Sequence, residues 1–146
     1  MELLDRLIRF ATIRPRTEFE IKRWFARKKV NEKDAAIATK ELKAINLIDD
    51  EAFAKWWVDQ RVTFRPKASR LLVLEIVKKG VDKELAQEIV SESNLNDESM
   101  AFQLVEKKKK SWERLSPEER KKKTVTFLQL RGFKWEVIKK MVDTNL

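Results

Sequence analysis

Apolar residues recur every three to four positions through most of the chain, which is the spacing of one face of an α-helix. In the segment 71–77, for example, Leu71, Leu74 and Val77 share a face next to Leu72 and Ile76. The alternation of apolar and polar residues that is typical of a half-buried strand is nearly absent. The pattern therefore predicts an all-α protein.

The same pattern predicts nine helices with short connections. The three prolines, Pro15, Pro66 and Pro117, all fall where a helix can begin or end. Short connections require neighbouring helices to pack back on one another. The predicted helices cover residues 2–12, 18–29, 32–45, 50–63, 67–79, 83–93, 97–114, 117–131 and 135–143.

Several helix starts are marked by side chains that can accept hydrogen bonds from the first free backbone N–H groups. Thr17 with Glu20 has the form of a capping box, and so has Ser116 with Glu119, where Pro117 stands at the first helical position. The other N-cap candidates are Asn31, Asp82 and Asn96.

An acidic triplet, Asp49-Asp50-Glu51, precedes the fourth predicted helix. With Asp49 as N-cap, the next two acids fall in the first turn, where the helix dipole favours negative charge. Ile48 and Phe53 then occupy the two positions of a hydrophobic staple. A divalent cation would need further oxygen ligands, and no second carboxylate cluster of suitable spacing is found. We interpret the triplet as a helix start, with a metal or catalytic site as the alternative.

The composition excludes several classes of function. The 146 residues carry a net charge of +9 and include no cysteine and no histidine, which removes disulfides, thiol or histidine catalysis and the usual zinc sites. Two glycines, Gly80 and Gly132, are too few for a phosphate-binding loop. No segment is apolar enough to cross a membrane, and no secretory signal is found. Carboxylates, lysines and hydroxyls remain as catalytic candidates. We expect a cytoplasmic protein without cofactors, whose charge favours a polyanion or an acidic protein surface.

Three segments of the chain align with one another, at spacings of 51 and 52 residues. Each contains a helix, a one-residue hinge, an apolar residue and a second helix. The hinge is Lys29, Gly80 or Gly132, and a glycine there suits the left-handed conformation that ends a helix. The repeat predicts a tandem array of small helical modules. The aligned positions are Phe25, Ile76 and Leu128, then Lys28, Lys79 and Arg131, then Val30, Val81 and Phe133.

The repeated segments resemble the RecX family, the bacterial modulators of the RecA recombinase. The most distinctive match is LIDDEAFA, from Leu47 to Ala54. Asn46 and Lys29 stand where the family usually has glycine. The other matching segments are Arg14-x-x-Thr17-x-x-Glu20-Ile21, Lys67 to Val81 and Leu130 to Ile138.

The resemblance implies a tandem array of three three-helix modules, with boundaries at 1–49, 50–94 and 95–146. The array is expected to be elongated and curved and to lie along the helical groove of a RecA–DNA filament. It also implies that the protein modulates, mainly by inhibition, filament extension, ATP hydrolysis and strand exchange in recombination and the SOS response. No chemistry of its own is implied, and we expect a monomer.

The candidate contacts to the filament or to DNA are basic side chains and two tryptophans. The alternatives are solvated surface charges for the basic runs and core packing for the tryptophans. Because adjacent residues on a helix point about 100° apart, we expect one of Trp56 and Trp57 to pack between modules and the other to be partly exposed or to cover a seam between modules. The candidates are Trp57, Arg61, Lys67, Arg70, Lys78, Lys79, Lys107, Lys108, Lys109, Lys110, Arg120, Lys121, Lys122, Lys123, Arg131 and Trp135.

Two other classes of function stay open at the level of the sequence. A free-standing nucleic-acid-binding protein of helix-turn-helix type would fit the repeated helix pairs, although acidic residues begin the second helix of each pair. A carboxylate enzyme would use Asp49, Asp50 or Glu51. Such an enzyme would lose activity but not stability when these residues are replaced.

Overall fold

A computed structural model describes residues 2–144, and this part of the chain is all α-helical. The helices form a tandem array of three three-helix modules. In chain order the described helices are α1 (Glu2–Ile13), α2 (Glu18–Arg27), α3 (Glu32–Ala44), α4 (Asp50–Phe64), α5 (Ser69–Lys78), α6 (Lys83–Glu92), α7 (Asp97–Trp112), α8 (Pro117–Leu130) and α9 (Trp135–Thr144).

The helix ends agree with the predicted ones to within two residues, because most of the predicted caps form. Thr17 makes a complete capping box with Glu20. The Asp49 side chain accepts a hydrogen bond from the backbone N–H of Ala52, as expected of an N-cap. The side chains of Asn31, Asp82, Asn96 and Ser116 accept in the same way from the residue three positions later.

Each module has its own apolar core. The core of the first module contains Ile21 and Phe25, that of the second contains Phe53 and Ile76, and that of the third contains Leu128. Phe25, Ile76 and Leu128 are the aligned positions of the repeat, so the repeat marks buried core residues. Ile48 belongs to the first core and Phe53 to the second, so the residues around the acidic triplet connect two modules. The module boundaries stay a prediction.

The hinges adopt the left-handed backbone that the repeat predicts. Lys29 has a φ of 56° and Asn46 a φ of 60°, so both non-glycine residues keep the conformation that the resemblance associates with glycine. Gly80 and Gly132 have φ values of 104° and 82°. A Cβ atom on Gly80 would lie 2.1 Å from the Cβ of Phe19. Glycine is therefore required there by close packing as well as by backbone conformation.

The contact between the first two modules is called the first joint. At this joint the Thr17 hydroxyl donates to the backbone carbonyl of Lys79, at 2.6 Å. The backbone N–H of Glu18 donates to Asp50 Oδ1, at 2.9 Å. Arg14 reaches across the joint, with its guanidinium 5.7 Å from the ring centres of Phe53 and Trp56. The start of α2 is thus held by the hinge and the acidic triplet of the next module.

The second joint, between the second and third modules, repeats this arrangement. The backbone N–H of Ala68 donates to the carbonyl of Arg131, at 3.0 Å. The backbone N–H and hydroxyl of Ser69 donate to Asp97 Oδ1, at 3.1 and 2.7 Å. Ala68 has no side-chain oxygen and cannot cap α5 itself. Asp97, at the start of α7, supplies the missing acceptor from the neighbouring module.

Asp50 therefore has a role that the sequence did not predict. It occupies the first helical position of α4, as expected, but its carboxylate accepts from α2. Burial at the joint raises the pKa of Asp50 above its ordinary value, and the Glu18 backbone N–H opposes this shift only in part. Burial of the negative charge of Asp50 is therefore unfavourable for the joint, whereas its oxygen stabilises the joint by accepting the hydrogen bond from Glu18.

Candidate binding clefts at the module joints

An ion-pair network on the second module centres on Glu75. Its carboxylate accepts from Trp57 Nε1 and Arg61 Nε, each at 3.2 Å, and from Lys67 Nζ at 2.7 Å. Burial raises the pKa of Glu75, but the hydrogen bonds from Lys67 and Trp57 and the charge of Arg61 outweigh it, so this pKa lies below its ordinary value. The network holds three candidate contact residues on α4 and the α4–α5 connection.

The first cleft lies at the first joint and has a volume of about 610 Å³. Six basic side chains and two carboxylates line it. Arg16, Arg23 and Arg27 come from the first module, and the other three cations come from the second. Among the candidates, this cleft brings together Trp57, Arg61, Lys78 and Lys79.

The second cleft, of about 620 Å³, lies at the second joint. Its lining has five basic side chains and no carboxylate. Two exposed apolar side chains, Phe64 and Leu130, stand beside them, with 71% and 75% of their surface accessible. The cations are Arg65 and the candidates Lys67, Lys107, Lys108 and Arg131. Because Lys67 also binds Glu75 of the first cleft, the two clefts adjoin each other.

Both clefts contain an aromatic ring flanked by two cations at equivalent positions of the repeat. In the second module the ring of Trp57 has the Arg61 guanidinium at 4.7 Å and the Lys79 ammonium at 5.4 Å. In the third module the ring of Phe127 has Arg131 at 3.9 Å and Lys108 at 5.4 Å. These distances lie within the range of cation–π attraction.

The positions of these residues explain the equivalence. Arg61 and Lys108 occupy the same position in α4 and α7, counted from the first residue of each helix. Lys79 and Arg131 are the C-cap residues of α5 and α8. The ring itself comes from α4 in one module and from α8 in the other. The cations therefore keep their place in the repeat while the aromatic residue changes helix.

The two adjacent tryptophans do not divide into a buried and an exposed one. Both are half-buried, and both contact the ring of Phe53, with centroid distances of 6.0 Å for Trp56 and 5.7 Å for Trp57. Trp56 lies under Arg14 of the first module, and Trp57 lines the first cleft. Both rings lie at the first joint, where contacts between the two modules partly cover each of them.

Arg70 and Trp135 come together on a different part of the second joint. Both line a smaller recess, where Arg70 Nε donates to the carbonyl of Gly132. Trp135 is 56% exposed, which makes it the most accessible tryptophan of the described chain. The remaining candidates lie outside both clefts: Lys109, Lys110, Arg120, Lys121, Lys122 and Lys123.

Four cleft cations were absent from the sequence-based candidates: Arg16, Arg23, Arg27 and Arg65. Two of them could have been found through the repeat. At the spacing of 51 residues, Arg16 aligns with Lys67 and Arg27 aligns with Lys78, which were both candidates. No comparable signal indicates Arg23. It faces the cleft only because α2 packs on the hinge of the second module.

The acidic triplet is built into the joint. Asp49 caps α4 and Asp50 caps α2. Within residues 2–144, no group of three or more acidic side chains is placed to hold a metal ion. Over the same residues, none of the helices has the length and apolar character needed to cross a bilayer.

The fold and the clefts define a class of protein: a tandem array of three-helix modules whose joints carry clusters of basic residues. Two family models match this chain, "RecX, second three-helix domain" over residues 49–89 and "RecX, third three-helix domain" over residues 96–142. Together they cover more than half of the chain. The chain belongs to the RecX family, a family of regulatory proteins.

Individual relatives agree with this assignment. The chain is 30% identical over 144 residues to the regulatory protein RecX of Mycolicibacterium smegmatis, a match that covers 95% of this chain and 77% of the relative. It is 28% identical to RecX of Chlorobaculum tepidum, over 98% of this chain and 88% of the relative. With RecX of Chlorobium limicola it shares 33% identity, over 66% of this chain and 59% of the relative.

Solved structures share the fold. The crystal structure of RecX from Lactobacillus salivarius matches with a TM-score of 0.77 and 19% identity, over 96% of this chain and 92% of the other. A second crystal structure of regulatory protein RecX matches with a TM-score of 0.79 and 20% identity, over 95% of this chain and 70% of the other. At these identities the likeness concerns the fold alone.

Proposed function

We propose that this protein binds RecA–DNA nucleoprotein filaments in their helical groove and modulates them, mainly by inhibition. The steps affected are filament extension, ATP hydrolysis and strand exchange, in recombination and the SOS response. The observation that carries the proposal is membership of the RecX family over both matched domains. The protein acts in the cytoplasm, as a monomer, and by binding.

The geometry supports a contact surface that runs along the array. Two adjoining basic clefts occur at successive joints, and a filament presents repeated surfaces to a tandem array. The net charge of +9 favours association with a polyanionic assembly through a field that salt weakens. The exposed Trp135 adds an apolar anchor beside Arg70, since tryptophan is enriched at the centres of protein interfaces.

The rival, a helix-turn-helix protein that acts on DNA alone, fits the geometry less well. The second helix of each hinge pair begins with an exposed carboxylate in its first turn, at Glu32, Glu84 and Glu136. Negative charge at the start of a recognition helix would oppose its approach to DNA phosphates. A shift of short duplex DNA in the absence of recombinase would favour this rival.

The decisive experiment measures ATP hydrolysis by RecA on single-stranded DNA while this protein is added. We expect hydrolysis to fall at equimolar or lower protein. Replacing Lys107 and Lys108 of the second cleft by glutamine should raise the half-inhibitory concentration by about three- to tenfold, because each exposed ion pair contributes little alone.

The matched control replaces Lys33 and Lys139, two exposed lysines outside both clefts, by glutamine. It removes the same charge and should leave inhibition within about twofold of the original protein, since the long-range field changes equally in both variants. No effect of the unmodified protein on hydrolysis, at equimolar or higher concentration, would remove the proposal.

A further inference from the structure

We propose that the first cleft is a binding site for clustered phosphate groups, held between cations of two modules. The starting observation is an excess of positive charge. Six basic side chains line the cleft against Glu20 and Glu75, and these two carboxylates are already occupied.

The carboxylates are held by groups of their own modules. Glu20 accepts from both terminal nitrogens of Arg14 and from the Thr17 backbone N–H. Glu75 accepts from Trp57, Arg61 and Lys67. Glu20 also forms an ion pair with Arg16, at 3.9 Å, so both carboxylates are engaged with partners of their own modules.

Four cations of the lining have no carboxylate partner within the described residues. Arg23, Arg27, Lys78 and Lys79 form no ion pair with any residue of the described range 2–144. Burial and the charge of Arg14 lower the pKa of Arg16, Glu20 opposes this shift only in part, and repulsion from Arg27 adds to it. An anion in the cleft would relieve this repulsion.

The aromatic rings of the cleft are already in contact with cations. The cleft is therefore suited to a charged ligand more than to a planar aromatic one. Arg16 lies 3.8 Å from the ring centre of Phe10, Arg23 lies 5.7 Å from that of Phe19, and Trp57 is flanked by two cations. Each ring already contacts a guanidinium or an ammonium group. These contacts also fix the direction of the cations, whose remaining N–H groups are available to a ligand.

Clustered phosphates match this lining better than other anions. The excess of cations over carboxylates calls for several negative charges within about 610 Å³, and linked phosphates carry that density. Arginine donates two parallel hydrogen bonds to phosphate oxygens. Because the cations come from both modules, the bound ligand would also hold the first joint in one geometry.

The probe is inorganic tripolyphosphate, titrated into the full chain at low salt by isothermal calorimetry. We expect saturable binding. Because the second cleft also has five basic side chains and no carboxylate, the variants, and not the number of sites, assign the binding to the first cleft. The variant R23Q/R27Q/K78Q changes three exposed side chains and should weaken binding about tenfold. The matched control K33Q/K83Q/K139Q removes the same charge outside the cleft and should stay within about twofold. Circular dichroism of each variant checks that the fold is kept.

Two further arms identify the source of the phosphate. A single-stranded oligodeoxythymidylate that competes with tripolyphosphate would indicate a nucleic-acid backbone as the natural ligand, and a failure to compete would indicate a free polyphosphate compound. Citrate tests the phosphate chemistry. Equal affinity for citrate, equal weakening in the two triple variants, or no binding of tripolyphosphate would each overturn the proposal. The experiment contains no recombinase, so its result is independent of the proposed action on RecA.

Discussion

Replacing Gly80 by alanine should break the first joint. The residue has a φ of 104°, where an alanine is strained by about 1–3 kcal/mol. The new Cβ would lie 2.1 Å from Phe19 Cβ and 2.7 Å from Phe19 Cγ, far inside the roughly 3.5–4.0 Å separation of carbon atoms in contact. Overpacking of this kind costs about 1–3 kcal/mol more. The expected loss of unfolding free energy is therefore about 2–6 kcal/mol.

Two equivalent positions supply comparisons. At Gly132 the φ is 82° and the nearest atom to a new Cβ is Leu71 Cβ at 3.0 Å, so G132A has similar strain but less overlap and should cost about 1–3 kcal/mol. Lys29 is exposed with a φ of 56°, so its Cβ is already tolerated. K29G should change stability by about 1 kcal/mol or less.

The assay is urea unfolding followed by circular dichroism. Because a tandem array is stabilised by its modules and by the interfaces between them, G80A should also lower the dependence of unfolding free energy on urea, as the first module unfolds separately.

A rescue experiment tests the cause. Phe19→Gly removes both clashing carbons and should recover part of the loss in G80A, whereas Phe19→Ala keeps the Cβ and should recover less. Equal recovery by both substitutions, or a smaller loss in G80A than in G132A, would refute the steric explanation.

Three other predictions concern the joints, the network and the shape. Asp50→Asn keeps an oxygen that accepts from the backbone N–H of Glu18, so the free energy of unfolding should change by about 0.5 kcal/mol or less. Asp50→Ala removes this acceptor and should lower the free energy of unfolding, measured by thermal unfolding, by about 0.5–2 kcal/mol. The pKa of Glu75 is lowered in the folded protein, so its contribution to stability is present above the ordinary value of 4.5 and is lost as the pH falls through the folded pKa. Urea titrations between pH 3 and 6 should show a weaker pH dependence for Glu75→Gln, and an unchanged one would contradict the network. Solution scattering should give a radius of gyration clearly above the roughly 15 Å of a compact chain of this length, and a value at 15 Å would count against an extended array.

The local signals of the sequence were sufficient for the helices and for the repeat. Apolar period, cap residues and hinge glycines act within a few residues of one another, so their effects can be predicted without knowing the fold. Asp49 caps α4 as expected, and the aligned Phe25, Ile76 and Leu128 are buried. The family assignment followed from the same segments, because their order is kept along the chain.

The tertiary structure alone decided how the modules meet. Asp50 caps a helix that begins 32 residues earlier in the chain, and Asp97 supplies the cap that Ala68 lacks. No local pattern indicates an acceptor that lies on another module. Position 80 also requires glycine because of its close contact with Phe19. The hinge pattern in the sequence does not indicate this contact.

The candidate site shows the same division. The sequence indicated basic residues, since charge can be counted along the chain. It did not distinguish Lys78 in the first cleft from Lys121 outside both clefts, because neighbouring lysines on a helix point in all directions. Arg23 faces Lys78 and Trp57 only when α2 packs on the next hinge. Helix identity is a property of short segments, whereas the clefts depend on contacts between modules that are distant in sequence.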